Sequence, residues 1–419
     1  MKNPLEALRN RVPLLRELPV EVTAVSMVAF CVALGFGIVA PVIPAFAREF
    51  GVSAFAASSV VSVFAGMRLA GAPLAGKFVD LIGERRTLSF GLAIVSISSF
   101  TAGLAQNFWQ LLVLRGLGGL GSVAFSIASM AVIIRVVEPG LRGRASSAWS
   151  GGFLLGGLAG PAVGGIFAAI SLRAPFFVYA VTLVFASLVS WFTLRNAHLT
   201  ESVATTDEVG TWKDVWKAFK NRAYAAAVGV NFSNGFVRMG ILNAIAPLFV
   251  VEALNSDVSL ASTGFLFSAI GQFILISKAG RWADSIGRKP ILIAGTLLSG
   301  LGMITMGGIE NISAYFLAMF VLGVAGAFLS SATPAVLGDA TAGQPRGPVI
   351  SAYQMSSDLG GIFGPVFGGW LLDFATRNYG EAHAFEVPFI VGGLIAASAV
   401  ILVLRMKETL IKVPPTKDA

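Results

Sequence analysis

The sequence predicts an all-α integral membrane protein whose twelve transmembrane helices form two pseudo-symmetric six-helix bundles. Three observations carry this expectation. Of 419 residues, 55% are hydrophobic and only 12% are charged, where an average soluble domain has about 25% charged. Twelve apolar stretches each reach the roughly 20 residues that a helix needs to cross about 30 Å of hydrocarbon. Two local patterns then recur along the chain at one constant shift of 204 residues.

In chain order, the first six spans are expected at Val22–Ala47, Ala54–Gly76, Thr87–Ala105, Phe108–Ile134, Ala148–Ile170 and Pro175–Leu194. The second six are Ala223–Val251, Leu260–Ala279, Pro290–Gly308, Ile312–Leu337, Pro348–Phe374 and Pro388–Leu404. Long continuous runs favour helices over barrel strands, which alternate over ten-residue segments. The first span is too long for a cleavable signal peptide, and eleven like it follow. Cys31, the only cysteine, lies within it, so no intramolecular disulfide or multi-cysteine metal site is expected. The two histidines, His198 and His383, sit in polar connections far apart, which leaves no pair for zinc or a triad. The spans contain no clustered nucleophile and base, and no phosphate-cradling glycine-lysine loop occurs. An enzyme, an ATP-driven pump, a cofactor and a metal are therefore not expected.

The formal charge of +8 follows from topology. With the N-terminus in the cytoplasm, 24 of the 30 lysines and arginines fall on that side and only Arg48, Arg173 and Arg377 fall opposite. That bias predicts a multi-pass protein of the cell's plasma (inner) membrane with both termini cytoplasmic. The basic excess then faces acidic inner-leaflet lipid and needs no nucleic acid. The one long connection divides the chain into residues 1–194, a cytoplasmic loop at 195–222, and residues 223–419. Within that loop Trp212, Val215, Trp216 and Phe219 lie at helical spacing with lysines between them, the pattern of an interfacial helix or a passive tether. Lys2 to Glu17 invites the same reading.

Gly76-Lys77-Phe78-Val79-Asp80-Leu81-Ile82-Gly83-Glu84-Arg85-Arg86 follows the second span. Its copy after the eighth, Gly280-Arg281-Trp282-Ala283-Asp284-Ser285-Ile286-Gly287-Arg288-Lys289-Pro290, is again a short turn. The fifth span carries Gly156, Gly160, Pro161, Gly164 and Gly165, and the eleventh repeats them as Gly360, Gly364, Pro365, Gly368 and Gly369. Over nearly its whole length the chain resembles the major facilitator superfamily, and in particular its twelve-helix drug/proton antiporter group. The resemblance implies two parallel repeats enclosing a midplane cavity that works by alternating access. In that family the aspartate matching Asp80 is thought to latch the halves by facing the N-terminus of helix eleven, while Glu84 and Leu81 stand where basic residues are common. The glycine-proline stretch is similar to a motif of proton-driven antiporters. Glycines four apart let backbones approach and the proline permits a bend; static packing is the competing reading, and the copy in helix eleven favours it. Leu114-Arg115-Gly116-Leu117-Gly118-Gly119-Leu120-Gly121 is similar to the family's fourth-helix motif, whose arginine is proposed to assist proton coupling, although Gly118 stands where glutamine is frequent.

Four charges stand out deep within spans: Arg68, Arg115, Arg238 and Asp358. Each costs at least about 2.5 to 3.5 kcal/mol at the bilayer centre, so each demands a role or a partner. At 1.5 Å per residue, Arg68 lies about 12 Å from Gly76 and Asp358 about 15 Å from Pro348, similar depths. The resemblance implies that helices two and eleven are neighbours across the domain interface, so Asp358 is expected to pair with Arg68 in one state and release it in another, with Arg238 as competing partner; a permanent structural pair is the alternative. As the only mid-span carboxylate, Asp358 is also the expected proton carrier. Three arginines against one aspartate, and a first helix without Asp or Glu, favour an anionic, zwitterionic or neutral amphiphilic cargo. Asn231, Asn234, Asn243 and Gln272 are candidates for hydrogen bonds to cargo or between helices. The expected function is secondary active transport, with proton-coupled efflux of a small molecule by a bilayer-embedded monomer. A facilitator or metabolite symporter of the same fold is the nearer alternative, and a non-transporting receptor or scaffold the more distant one.

Overall fold

A computed structural model describes residues 9, 15–138, 141–194, 212–341 and 346–410. Twelve long helices run through it: α1 (Val20–Arg48), α2 (Ala54–Ile82), α3 (Glu84–Gly103), α4 (Phe108–Val136), α5 (Arg142–Ala168) and α6 (Ala174–Thr193) come first. Then follow α7 (Arg222–Ala253), α8 (Val258–Ser285), α9 (Arg288–Gly308), α10 (Ile312–Ala340), α11 (Arg346–Tyr379) and α12 (Glu386–Arg405). The described residues contain no strand. Eleven of the twelve are long and apolar enough to cross a bilayer; α3 has the length but not the composition, because it opens on Glu84-Arg85-Arg86 and carries six hydroxyl residues. Five of the six are buried against protein. Ser89 and Ser190 share a 2.6 Å hydrogen bond, and Ser96 donates to the Ala180 carbonyl at 2.9 Å, so α3 satisfies on α6 what lipid could not.

The structure corrects the two loop copies. The expected turn after the second span is mostly helix: α2 runs on to Ile82 and α3 begins at Glu84, leaving Gly83 alone between them at φ +83°. The second copy places Gly287, at φ +132°, directly before α9. Only glycine holds such φ values without strain, and this reverses the chain within a residue or two. Asp80 and Asp284 consequently ride on the last turns of α2 and α8, both exposed, and not on loops.

The chain forms two compact units. The first comprises Met1–Thr205, Gly240–Leu266 and Gly361–Phe385; the second comprises Thr206–Met239, Phe267–Gly360 and Glu386–Ala419. In the first, α1 packs most extensively on α5, α2 on α4, and α3 on α4 and α6 around Val25, Leu88, Leu92, Phe125, Phe176 and Leu183. In the second, α9 packs on α10 and α12 and the start of α7 lies against both, around Tyr224, Leu292, Ala332 and Val403. Of the expected 195–222 connection, residues 195–211 lie outside the described residues, as do His198 and most of the N-terminal amphipathic stretch. The helix at its end does form, as Trp212–Phe219, with Val215 buried and Trp216 75% exposed.

Candidate functional site

In the first unit, two of the intramembrane arginines converge on an aromatic cluster. Arg115 is 1% exposed, and its guanidinium carbon stands 4.7 Å from the centroid of the Phe64 ring. The ring face supplies the negative potential that water would otherwise provide. Arg115 Nε and Nη1 are buried without a hydrogen-bond partner among the described residues. The glycines around Arg115 explain its depth: an added Cβ at Gly119 would strike the Phe64 carbonyl, and one at Gly118 would meet Ser98 and Phe64. The fourth-helix motif thus brings α4 onto α2 and α3 at backbone distance and seals Arg115 between them. Arg68 donates to Ser122 on α4. Phe36 lies 6.3 Å from Phe64, and Tyr179, fully buried, rests its ring on Gly35.

In the second unit, α7 leaves the α-helical pattern over Gly235–Leu242, which is π-helical and carries Arg238. Widened turns of this kind recur at functional positions because they re-aim a side chain. Arg238 donates from Nη2 to the Gln272 amide oxygen at 3.1 Å and lies across Gly326 of α10, where any Cβ would displace it. Asn231 ties α7 to α11, donating to the Tyr353 carbonyl at 2.8 Å and to Ser356 at 3.2 Å. Asn234 Oδ1, one turn on, is buried with no hydrogen-bond partner among the described residues. Asp358 is half-buried on α11, beside the point where Gly235 brings α7 against Ser357. The expected partners Arg68 and Asp358 fall in different units. Asn243 lies in the first unit with the far part of α7.

The glycine-proline stretches are packing seams. Cβ atoms at Gly156, Gly160 and Gly164 would strike the carbonyls of Phe30, Leu34 and Ile38, so α5 lies on the backbone of α1. In the copy, Gly360 abuts Phe232 and Phe236, Gly364 abuts Gly240, and Gly368 abuts Ile241 and Ile245 of α7. The second glycine of each pair turns to another helix: Gly165 toward Ser262 of α8, and Gly369 toward Ala54 and Ser58 of α2. Pro161 and Pro365 sit inside helices that continue past them.

Near the loop copies, Glu84 is fully buried and meets Arg135 at 2.6 Å, while Arg85 covers the Trp191 ring at 4.2 Å and donates to the Trp191 carbonyl at 2.8 Å. Arg86 is exposed. At the opposite ends of the helices, the first unit is tied together by residues that sequence reasoning did not single out. Arg48 and Glu252, themselves 204 residues apart, form a two-point ion pair at 2.7 and 3.1 Å. The Asp373 carboxylate accepts from the backbone N–H groups of Ala54 and Phe55, both at 3.0 Å, and so caps α2 from α11. Ser62 donates to the Ile362 carbonyl at 2.7 Å. The offset of 204 was the available signal for Arg48 and Glu252, and it also relates Ser122 to Gly326; Asp373 carried none.

Comparison with known proteins agrees with this fold. The chain is 28% identical over 361 residues to Multidrug resistance protein 1 of Bacillus subtilis, covering 84% of this chain and 89% of that one. It is 29% identical over 383 residues to Multidrug resistance protein MdtG of Escherichia coli, covering 88% and 90%. Among solved structures, a bacterial homolog of the human lysosomal transporter Spinster, inward-facing, superposes with a TM-score of 0.70 at 16% identity over 96% of each chain. The nucleoside transporter NupG superposes at 0.72 with 14% identity, over 92% of this chain and all of that one, and at such identity both show the fold alone. The family model matches twice, over residues 25–237 and 227–419, once for each repeat. With two copies of one six-helix plan and a family model spanning both, the chain belongs to the Major Facilitator Superfamily and is a membrane transporter and not an enzyme.

Proposed function

We propose that the protein is a proton-coupled exporter of small amphiphilic, anionic or zwitterionic compounds, working by alternating access. The observation that carries this is Arg115: a buried cation held on an aromatic face, with two donor atoms unpartnered among the described residues. Such a group in hydrocarbon is retained at a cost, and its positive charge attracts a negative or polar cargo through the low-dielectric interior. Arg238, anchored by an amide and not a carboxylate, offers the same in the second unit, with Asn234 beside it as a polar contact. The relatives named for multidrug resistance support efflux as the direction.

Asp358, the mid-span carboxylate half-buried on α11, is our choice of proton carrier. Arg48–Glu252 and the Asp373 cap of α2 are then contacts that must part when that end of the first unit opens. In this reading residues 1–194 and 223–419 are the two moving halves joined by 195–222, the protein is a monomer in the plasma membrane, and both termini lie in the cytoplasm.

The test is transport by purified protein in liposomes with an imposed pH gradient, using a panel of anionic, zwitterionic, neutral and cationic compounds. The reading expects gradient-driven movement of at least one non-cationic compound, abolished by Asp358→Asn. Transport that ignores the gradient and survives this substitution refutes proton antiport and leaves a facilitator of the same fold.

A further inference from the structure

The second unit contains a cleft of about 910 Å³ lined by Lys220, Asn221, Arg222, Arg288, Asp339, Lys407, Glu408 and Thr409. Its two carboxylates are already engaged. Asp339 pairs with Arg288. Glu408 accepts from the backbone N–H groups of Arg288, Lys289, Thr409 and Leu410, at 2.9 to 3.0 Å. Burial alone would raise this carboxyl, but the four donors outweigh burial and hold it below the ordinary carboxylate range, so it stays charged and occupied.

Lys220, Arg222 and Lys407 form no ion pair among the described residues, so three positive charges around one opening lack a counter-charge from the protein. Arg288 Nε and Thr409 Oγ1 are also buried without hydrogen-bond partners, and both line the same cleft. Arg222 opens onto a second cavity of about 400 Å³, whose other lining residues are Ala225, Leu402 and Arg405. That cavity lies between α7 and α12, where the absence of a side chain at Gly229 admits Leu402. Arg222 thus lines both a cationic cleft and a smaller cavity between two membrane helices whose remaining walls are Ala225, Leu402 and the Arg405 side chain.

We propose that this pair of cavities binds an acidic phospholipid, its phosphate among Lys220, Arg222 and Lys407 and one acyl chain along Ala225 and Leu402. Clustered basic residues between membrane helices attract anionic head groups. A free phosphate shares the head-group chemistry but makes no use of the smaller cavity.

The test is lipid titration of the purified full-length transporter by native mass spectrometry, with phosphatidylglycerol, phosphatidylcholine and inorganic phosphate as separate probes. The proposal expects saturable phosphatidylglycerol binding that weakens at least about tenfold in Lys220→Gln/Arg222→Gln/Lys407→Gln and is unchanged in Lys77→Gln, an exposed cation of the other unit. Should the triple variant not fold, Lys407→Gln alone, on the segment after α12, is read by the same titration. Phosphatidylglycerol retention by the variant equal to that of the parent overturns the proposal. So does equal affinity for phosphatidylcholine, or inorganic phosphate binding as tightly as the lipid.

Discussion

The two copies of the helix-to-helix turn solve one electrostatic problem with opposite signs. In the first, buried Glu84 meets Arg135. Exactly one repeat later in number, 204 residues on, the same two positions hold Arg288 and Asp339, again paired. The attraction depends on the product of the charges and not on their order, so a pair can be inverted whole while neither partner can change alone. The inversion has a consequence at the helix end. α3 begins with its own carboxylate, Glu84, where a helix dipole favours negative charge. α9 begins with Arg288, and its carboxylate comes instead from Glu408, beyond α12, which caps the N–H groups of Arg288 and Lys289. The adjacent position behaves alike in both copies: Arg85 donates to the Trp191 carbonyl near the end of α6, and Lys289 to the Leu404 and Met406 carbonyls at the end of α12.

The largest effect is expected from breaking the first pair. Arg135→Gln leaves Glu84, fully buried, without its countercharge, and should cost about 3 to 5 kcal/mol of stability. Arg288→Gln, in a pair whose side chains are 15% and 31% exposed, should cost about 1 kcal/mol. Comparing thermal midpoints of the two variants in detergent checks the ranking. Glu84→Arg/Arg135→Asp, which copies the second turn into the first, should recover most of the loss; no recovery would show that the environment of Glu84 demands a carboxylate and not merely a pair.

A second, intermediate effect tests whether the glycine seams are equivalent. Gly156→Ala and Gly360→Ala each drive a methyl into the backbone of the neighbouring helix and should destabilise by about 1 to 3 kcal/mol. Gly157→Ala, which meets nothing within 4 Å, is the matched control and should be near neutral. A loss at Gly156 without one at Gly360 would show that the α1–α5 contact is held more rigidly than the α7–α11 contact.

The smallest effect concerns Glu408. Its folded carboxyl titrates below the ordinary range, so its stabilisation is complete above the unfolded-state value and disappears as the pH falls through the lower folded value. The parent protein should lose the stability margin it holds over Glu408→Gln as the pH is lowered across that window. A margin that stays constant with pH would mean that the carboxyl is not held down by its four donors.

Much of the fold could be read along the chain because a hydrophobic run of spanning length is a one-dimensional property. The limits show at α3, where serines lower the apolarity although the face that carries them packs on protein, and at α2, where helix continues past Gly76 to the single turning residue Gly83. The offset of 204 exposed the loops and the glycine seams, and also held Glu84–Arg135, Arg288–Asp339 and Arg48–Glu252 for anyone pairing charges by repeat position. Asn231 could be placed on α7 from sequence, but only packing shows that it spends its donors on α11.

By itself the sequence determined that twelve helices form, how they repeat, and which charges lie among apolar residues, because length, composition and spacing are local to the chain. Only the tertiary structure decided which faces meet: that Arg115 rests on Phe64, that Arg238 reaches Gln272 across Gly326, and that Asp373 caps α2. Those contacts join residues tens to hundreds of positions apart, and their partners are set by the rotation and depth of whole helices, which no single segment encodes.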